Sequence, residues 1–328
     1  MRYSIRVLPL LLLALWVAAV PAAKSPPAIR VFEFHYRTRI PPVPPGAAKL
    51  RVWIPVPSSD AQQEVSGLRI ESPAPNQLRQ EREYGNRYAY LEVDAVRAKT
   101  PIEVRMEMKV RREENRVDPA ASGVERKDPA EIARSLASDR RVPLDGMIAK
   151  LAAEQTRGLT RPLDKARAIY NHVVSTMKYD KTGEGWGRGD AIYACNARKG
   201  NCTDFHALLI GMMRASGIPA RFEIGFSTPG DRRSGEIPGY HCWAQFWLEG
   251  AGWVPVDASE AWKNPGSREY FFGAHDQHRV LFSRGRDVRL DPPQQGEPLN
   301  YFVYPYAEVD GKPFQGVESR FSFRDLER

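Results

Sequence analysis

The chain has 328 residues, 42% hydrophobic and 27% charged, with a formal net charge of +8. This usage is ordinary for globular domains and excludes a disordered chain, a collagen-like repeat and a small disulfide scaffold; at about 150 residues per domain the length implies roughly two domains. The basic residues are mixed along the chain with no stripe or reading motif, so the charge reads as a solvated surface and no nucleic-acid partner is expected.

In chain order, residues 1–23 read as a secretory signal. Arg2 and Arg6 precede an apolar run from Val7 to Val20, interrupted by Pro9, and Val20-Pro21-Ala22 offers a small-residue cleavage site. The run is shorter than the ~20 residues that span a bilayer, and no cysteine near the cut offers a lipid anchor. The mature protein is expected to be periplasmic or secreted, with no stable membrane span once the signal is removed.

Residues 28–113 alternate in short runs punctuated by Pro, Gly, Ser and Asn. Examples are Val31-Phe32-Glu33-Phe34-His35-Tyr36, Tyr88-Ala89-Tyr90-Leu91-Glu92-Val93 and Ile102-Glu103-Val104-Arg105-Met106. Period-two patterns at this spacing predict antiparallel strands of a β-sandwich-like domain. Residues 114–129 are charged and turn-rich, as suits a linker.

Helical periodicity begins near Ala130. Pro162-Leu163-Asp164 opens a helix whose apolar stripe runs through Ala166, Ile169, Tyr170, Val173 and Met177. Gly183, Gly185, Gly187 and Gly189 then mark a loop that lacks the Lys-Ser/Thr of a phosphate-binding loop and reads as a flexible connection. A third helix starts at Asn201 or Cys202, with Phe205, Leu208, Leu209, Met212 and Met213 on one buried face, and ends at Gly217-Ile218-Pro219. Strands are predicted at Arg221 to Phe226, Tyr240 to Leu248 and Trp253 to Val256. The last two are joined through Glu249-Gly250-Ala251-Gly252 as a hairpin. Residues 263–328 carry short aromatic runs and read as a strand-rich C-terminal extension.

Three cysteines, Cys195, Cys202 and Cys242, leave at least one thiol without an intramolecular partner. Whether Cys195 and Cys242 bridge stays open. Cys202 lies in the first turn of its helix, where orphan N–H groups and the macrodipole favour a thiolate. It also stands three residues before Phe205 on the buried stripe, so periodicity leaves nucleophile and structural cysteine both open. The hairpin adds a second element. A turn centred near residue 249 would set His241 directly opposite Asp257, with Cβ atoms about 4.5–5.5 Å apart. The carboxylate would orient the imidazole, whose other nitrogen could take the Cys202 proton. Cys242 would then point to the opposite face, into the core.

Four blocks carry a resemblance: Gly200-Asn201-Cys202-Thr203-Asp204-Phe205, Arg214-Ala215-Ser216-Gly217-Ile218-Pro219-Ala220-Arg221, Gly239-Tyr240-His241-Cys242-Trp243 and Gly252-Trp253-Val254-Pro255-Val256-Asp257. Together, over about residues 145–262, they resemble the core of the transglutaminase-like superfamily. The resemblance implies an α+β, papain-like core over residues 130–262, with helices packed on an antiparallel sheet. It makes Cys202 the nucleophile, His241 the general base and acid, and Asp257 the orienting carboxylate. The chain also resembles bacterial exported proteins that place a β domain before this core and a strand-rich tail after it. It lacks an acidic cluster of calcium-site type, so calcium dependence is not carried over.

The expected function is that of an exported cysteine enzyme acting on amide bonds of a protein or peptide substrate. Acyl transfer, deamidation and peptide hydrolysis share one thioester intermediate. The alternative is a catalytically silent binding or scaffold protein with a cell-envelope partner. The oxyanion needs two donors: the Cys202 N–H is the first, and Trp186, Tyr179 and Asn196 are candidates for the second. Trp243 and Trp247 fall on the His241 face of their strand and are candidate walls of a substrate cleft. No cofactor is called for. A zinc site from Cys195, Cys202, His206 and Cys242 lacks CxxC or HxxxH spacing, so no metal is expected.

Overall fold

The computed structural model describes residues 25–94, 98–123 and 128–326. The expected signal at 1–23 lies outside these residues, as do positions 124–127 of the expected linker.

The first half is built from β1 (Ile29–Ile40), β2 (Lys49–Val56), β3 (Gln63–Glu71), β4 (Asn76–Gln80), β5 (Arg87–Asp94) and β6 (Ile102–Glu113). The alternation works as the period demands: β1 buries Phe32, Phe34, Tyr36, Thr38 and Ile40 and turns His35, Arg37 and Arg39 outward. Apolar residues of β1 and β6 join Leu50, Val52, Ile54, Ala89 and Leu91 of β2 and β5 in one buried cluster.

The helices follow: α1 (Pro129–Arg134), α2 (Gly146–Gln155), α3 (Pro162–Thr176), α4 (Ala191–Ala197) and α5 (Cys202–Ala215). Next come β7 (Ala220–Ser227), β8 (Ser234–Ile237), β9 (Tyr240–Leu248), β10 (Gly252–Val256) and α6 (Ala258–Lys263), then β11 (Arg279–Arg284), β12 (Tyr306–Val309) and β13 (Glu318–Asp325). The result is an α+β fold, with helices packed on an antiparallel sheet ordered β10-β9-β7-β11.

The periodicity of α5 implies one buried face, but the structure buries every residue from Cys202 to Arg214. The reason is packing on several sides, against α2, α3, α4 and α6 and against β7 and β9. Such a helix is covered all round and held by neighbours on every side.

Residues 263–328 supply strands to four sheets, one of them the short pair of Ala274–His275 with Asn115–Arg116. β11 pairs with β7, β12 with β2, and β13 with β1 and β8. The five-stranded sheets are thus β8-β13-β1-β6-β3 and one in which Lys312–Pro313, β12, β2, β5 and β4 follow in order. β11 can lie close to β7 because residue 225 is glycine: a Cβ there would collide with the Val280 carbonyl, and the register shifts between Ile224 and Gly225. Among the described residues, no helix is long and apolar enough to cross a membrane.

Candidate active site

Cys202 is the first residue of α5, where the helical ladder offers its N–H no acceptor. Asn201 caps the helix, its Oδ1 accepting the Thr203 N–H at 3.0 Å and the Thr203 hydroxyl at 2.6 Å. Asp204 closes the reciprocal half of the capping box by accepting the Asn201 N–H at 3.0 Å. The same carboxylate accepts Gly187 N–H at 2.7 Å and Gly189 N–H at 3.0 Å. The glycine-rich segment, expected as a flexible connection, is therefore tied to the helix tip. Gly200 makes room for this: its φ is 153°, and a Cβ would occupy the place of the Asp204 carboxylate.

His241 Nε2 lies 2.8 Å from Asp257 Oδ2, so the expected pairing forms, but by a different route. Leu248 pairs with Gly252 and Trp247 with Trp253, which centres the turn on Gly250 and not on residue 249. Asp257, just beyond β10, then falls opposite Trp243 and diagonal to His241. A two-residue change in pairing keeps both side chains on one face. Asp257 has also left the ladder to become the N-cap of α6, its Oδ1 accepting the Glu260 N–H at 2.9 Å and the Ser259 hydroxyl at 3.0 Å.

With Nε2 engaged by Asp257, the Nδ1 side of His241 is left for Cys202, and the two side chains are hydrogen-bonded. Burial opposes charge on each member, yet the partners override it. Hydrogen bonds from Cys242 and His241, with the imidazolium charge, hold the Cys202 thiol well below its ordinary range. Asp257 and Cys202 push His241 up to about 10. The positive charges of His241 and Arg279 keep the Asp257 carboxyl well below the usual carboxylate range. Both directions favour a thiolate–imidazolium pair.

Cys242 was expected to face away from this pair. It is fully buried, but its thiol is hydrogen-bonded to Cys202 and its Sγ lies 3.5 Å from His206 Nδ1. The strand begins beside the tip of α5, so both faces of its first residues reach the helix end. His206, one turn into α5, donates from Nδ1 to the Cys202 carbonyl at 2.8 Å and accepts the Ala258 N–H on Nε2 at 3.2 Å. Burial keeps this imidazole neutral. All three cysteines are free.

The candidate oxyanion donors separate. Trp186 Nε1 donates to Gly183 O at 3.0 Å, inside its own loop. Asn196 is exposed in the last turn of α4. Tyr179 pairs with Gly200, two residues before Cys202, and packs against Phe205 and Trp262. Burial first, and then the Cys202 charge, push its hydroxyl up to about 12, which puts it within electrostatic reach of the sulfur.

The two cleft candidates are corrected. Trp243 is fully buried beneath His241, ring centres 5.8 Å apart, and its Nε1 donates to Glu223 Oε2 at 2.6 Å. Trp247 stacks edge-on against Trp253 and lies six residues along the strand from His241, about 20 Å at ~3.3 Å per residue. Neither walls an opening at Cys202, because the face they share with His241 is covered.

Four residues at the site were missed by the sequence reading of roles. Arg279 of β11 lies 3.3 Å from Asp257 Oδ2 and 2.6 Å from Asp276 Oδ2. Asp204 pins the glycine-rich segment. Tyr240 accepts from Asn201 Nδ2 at 3.0 Å and is hydrogen-bonded to Tyr301, which donates to Gly187 O at 3.1 Å. The Asn201–Asp204 spacing, a capping-box signature, was the available signal for Asp204; nothing local marks Arg279 or Tyr301.

Residues 149–258 match the model of the transglutaminase-like superfamily, a span that holds Cys202, His241 and Asp257; this part of the chain is a transglutaminase-like core. An uncharacterised protein of Haemophilus influenzae is 27% identical over 316 residues, covering 85% of this chain and 86% of the relative. An uncharacterised protein of Mycobacterium tuberculosis is 30% identical over 135 residues, 37% of this chain and 38% of its own length. The solved structure of a candidate cysteine protease from Cytophaga hutchinsonii aligns with a TM-score of 0.62 at 17% identity, covering 92% of each chain. That last likeness is one of fold.

Proposed function

We propose that the protein is an exported cysteine enzyme, periplasmic or secreted, that acts on amide bonds of a protein or peptide substrate through Cys202, His241 and Asp257. The observation that carries this reading is a thiol at a helix tip, bonded to an imidazole whose far nitrogen lies 2.8 Å from a buried carboxylate. The Cys202 thiolate attacks the amide carbon, and the carbonyl electrons move onto an oxyanion that meets the Cys202 N–H. His241 gives its proton to the departing amine as the thioester forms. It then takes a proton from water or an amine as that acceptor attacks, and the thiolate returns. Asp257 keeps the imidazole in register and steadies its positive charge.

A second reading, a binding protein that keeps the fold without turnover, draws on one observation: Cys202 is only 2% exposed. One experiment separates the two. The protein is incubated with a glutamine-containing peptide library, with and without a primary amine, and products are read by mass spectrometry. Conversion of a side-chain amide to acid, amine addition or backbone cleavage would each name an enzymatic outcome, and Cys202→Ala must abolish it. An unchanged library, with Cys202 alkylating no faster than Cys195, would favour the binding protein.

A further inference from the structure

Cys202 and Cys242 come from different elements, the tip of α5 and the third residue of β9, yet both are gathered on one nitrogen of His206. His206 fixes this approach, its Nδ1 lying 2.8 Å from the Cys202 carbonyl oxygen and 3.5 Å from Cys242 Sγ. The ring is fully buried and its other nitrogen is held by the Ala258 N–H, so Cys242 and the nucleophile's backbone share one rigid clamp. Cys242 is sealed from solvent, whereas Cys202 keeps a small exposure. Acyl transfer needs no second nucleophilic sulfur, and Cys242 enters the proposed mechanism only as a neutral neighbour of the Cys202 thiolate.

We propose that Cys242 is a resolving thiol, which captures a hydroperoxide-oxidised Cys202 as a reversible Cys202–Cys242 disulfide. The inference rests on the reading of Cys202 as a reactive thiolate. In the first step the Cys202 sulfur attacks the terminal peroxide oxygen. The O–O bond breaks, sulfur is oxidised to a sulfenic acid, and the peroxide leaves, after protonation, as water or an alcohol. In the second step the Cys242 sulfur attacks the sulfenyl sulfur and the S–O bond breaks. The departing hydroxide takes the Cys242 proton and leaves as water, and the S–S bond is formed. The order follows from exposure, since an oxidant meets Cys202 first. The geometry protects the nucleophile, because condensation with an adjacent thiol competes with further oxidation to the irreversible sulfinic acid.

The test uses hydrogen peroxide on the intact wild-type protein and on Cys242→Ala. Wild type is expected to lose the mass of two hydrogens, to yield a cross-linked pair of peptides containing Cys202 and Cys242, and to lose Cys202 alkylation. A thiol reductant should restore that alkylation completely. Cys242→Ala should stop at a dimedone-trappable sulfenic acid on Cys202 and then pass to a product that reductant does not reverse. The wild-type cross-link does not depend on how the variant folds. A dimedone adduct on wild-type Cys202 without the cross-link, or a cross-link through Cys195, would overturn the resolving role while leaving the thiolate reading intact. A Cys202 inert to both peroxide and iodoacetamide would remove the thiolate reading and the resolving role together.

Discussion

Arg279 shares with His241 a single oxygen of Asp257: its Nη1 lies 3.3 Å from Oδ2, the atom that takes the imidazole at 2.8 Å. The guanidinium is buried, its centre 4.9 Å from the Trp243 ring, with Nη2 2.6 Å from Asp276. Arg279→Met would leave Asp257 and Asp276 without this cation in a site shielded from water. Breaking one side of a buried ion pair costs about 3–5 kcal/mol, and that loss is expected in chemical denaturation. Arg279→Lys should fall between, since an ammonium cannot span both carboxylates as the planar fork does. A loss under about 1 kcal/mol, the range of an exposed pair, would rule out this structural role.

The electrostatics of the pair set a pH signature. Free thiols react as pH approaches their ordinary range, whereas Cys202 is held well below it and Cys195 is raised by burial. Iodoacetamide should therefore label Cys202 at mildly acidic pH at a rate far above that of Cys195. His241 is pushed up to about 10, so the imidazolium needed to protonate a leaving amine persists until the alkaline limb. In Asp257→Asn that support is gone. His241 falls, the thiolate loses its counter-charge, and the labelling midpoint should rise by about one to two pH units. A variant that labels on the parent's curve would show that Asp257 does not tune the pair.

Cys202 at a helix start and the His241–Asp257 pairing were legible because they depend on local signals: a cap, an apolar stripe and a hairpin. The pairing survived a misjudged turn because parity, and not exact register, decides which face a side chain takes. Arg279 was hidden for the opposite reason. It reaches Asp257 from β11, a strand whose partner β7 lies far back in the chain, and no local pattern encodes that crossing. The same holds for β13, which pairs with β1 across most of the sequence. Trp243 and Trp247 were assigned to a cleft because alternation gives a face but not what covers it; here Glu223, His275 and Trp253 do.

Glu223 makes the fold acid-sensitive in a defined window. Burial alone would raise its carboxyl, but Arg284 and Arg221 overcome this and bring it down to about 2. An unfolded glutamate titrates near ~4.3, so the folded state binds this proton less readily. The stabilisation is complete above about pH 4.3 and disappears as pH falls through about 2, a difference of about 3 kcal/mol. Urea unfolding followed between these limits should show stability falling with pH. Glu223→Gln should flatten that part of the slope and also lower stability at neutral pH, where Arg284 loses its partner at 2.8 Å. An unchanged slope in the variant would assign the acid response to other carboxylates.

The second oxyanion donor can be sought among the three candidates by hydrogen-bond deletion. Trp186 already gives its N–H to Gly183 O at 3.0 Å, and Asn196 stands exposed on α4, so Trp186→Phe and Asn196→Ala should leave acylation close to the parent rate. Tyr179 is tied by its backbone to Gly200 and feels the charge on Cys202. Removing its hydroxyl in Tyr179→Phe keeps the packing against Phe205 and Trp262, so the fold should persist. If that hydroxyl meets the oxyanion, single-turnover acylation should slow by roughly 10²–10³-fold, the usual cost of one such donor. Substrate affinity and iodoacetamide labelling should change little, because neither passes through a tetrahedral oxyanion. Equal slowing of labelling and acylation would instead mean that Tyr179 acts on the thiolate itself.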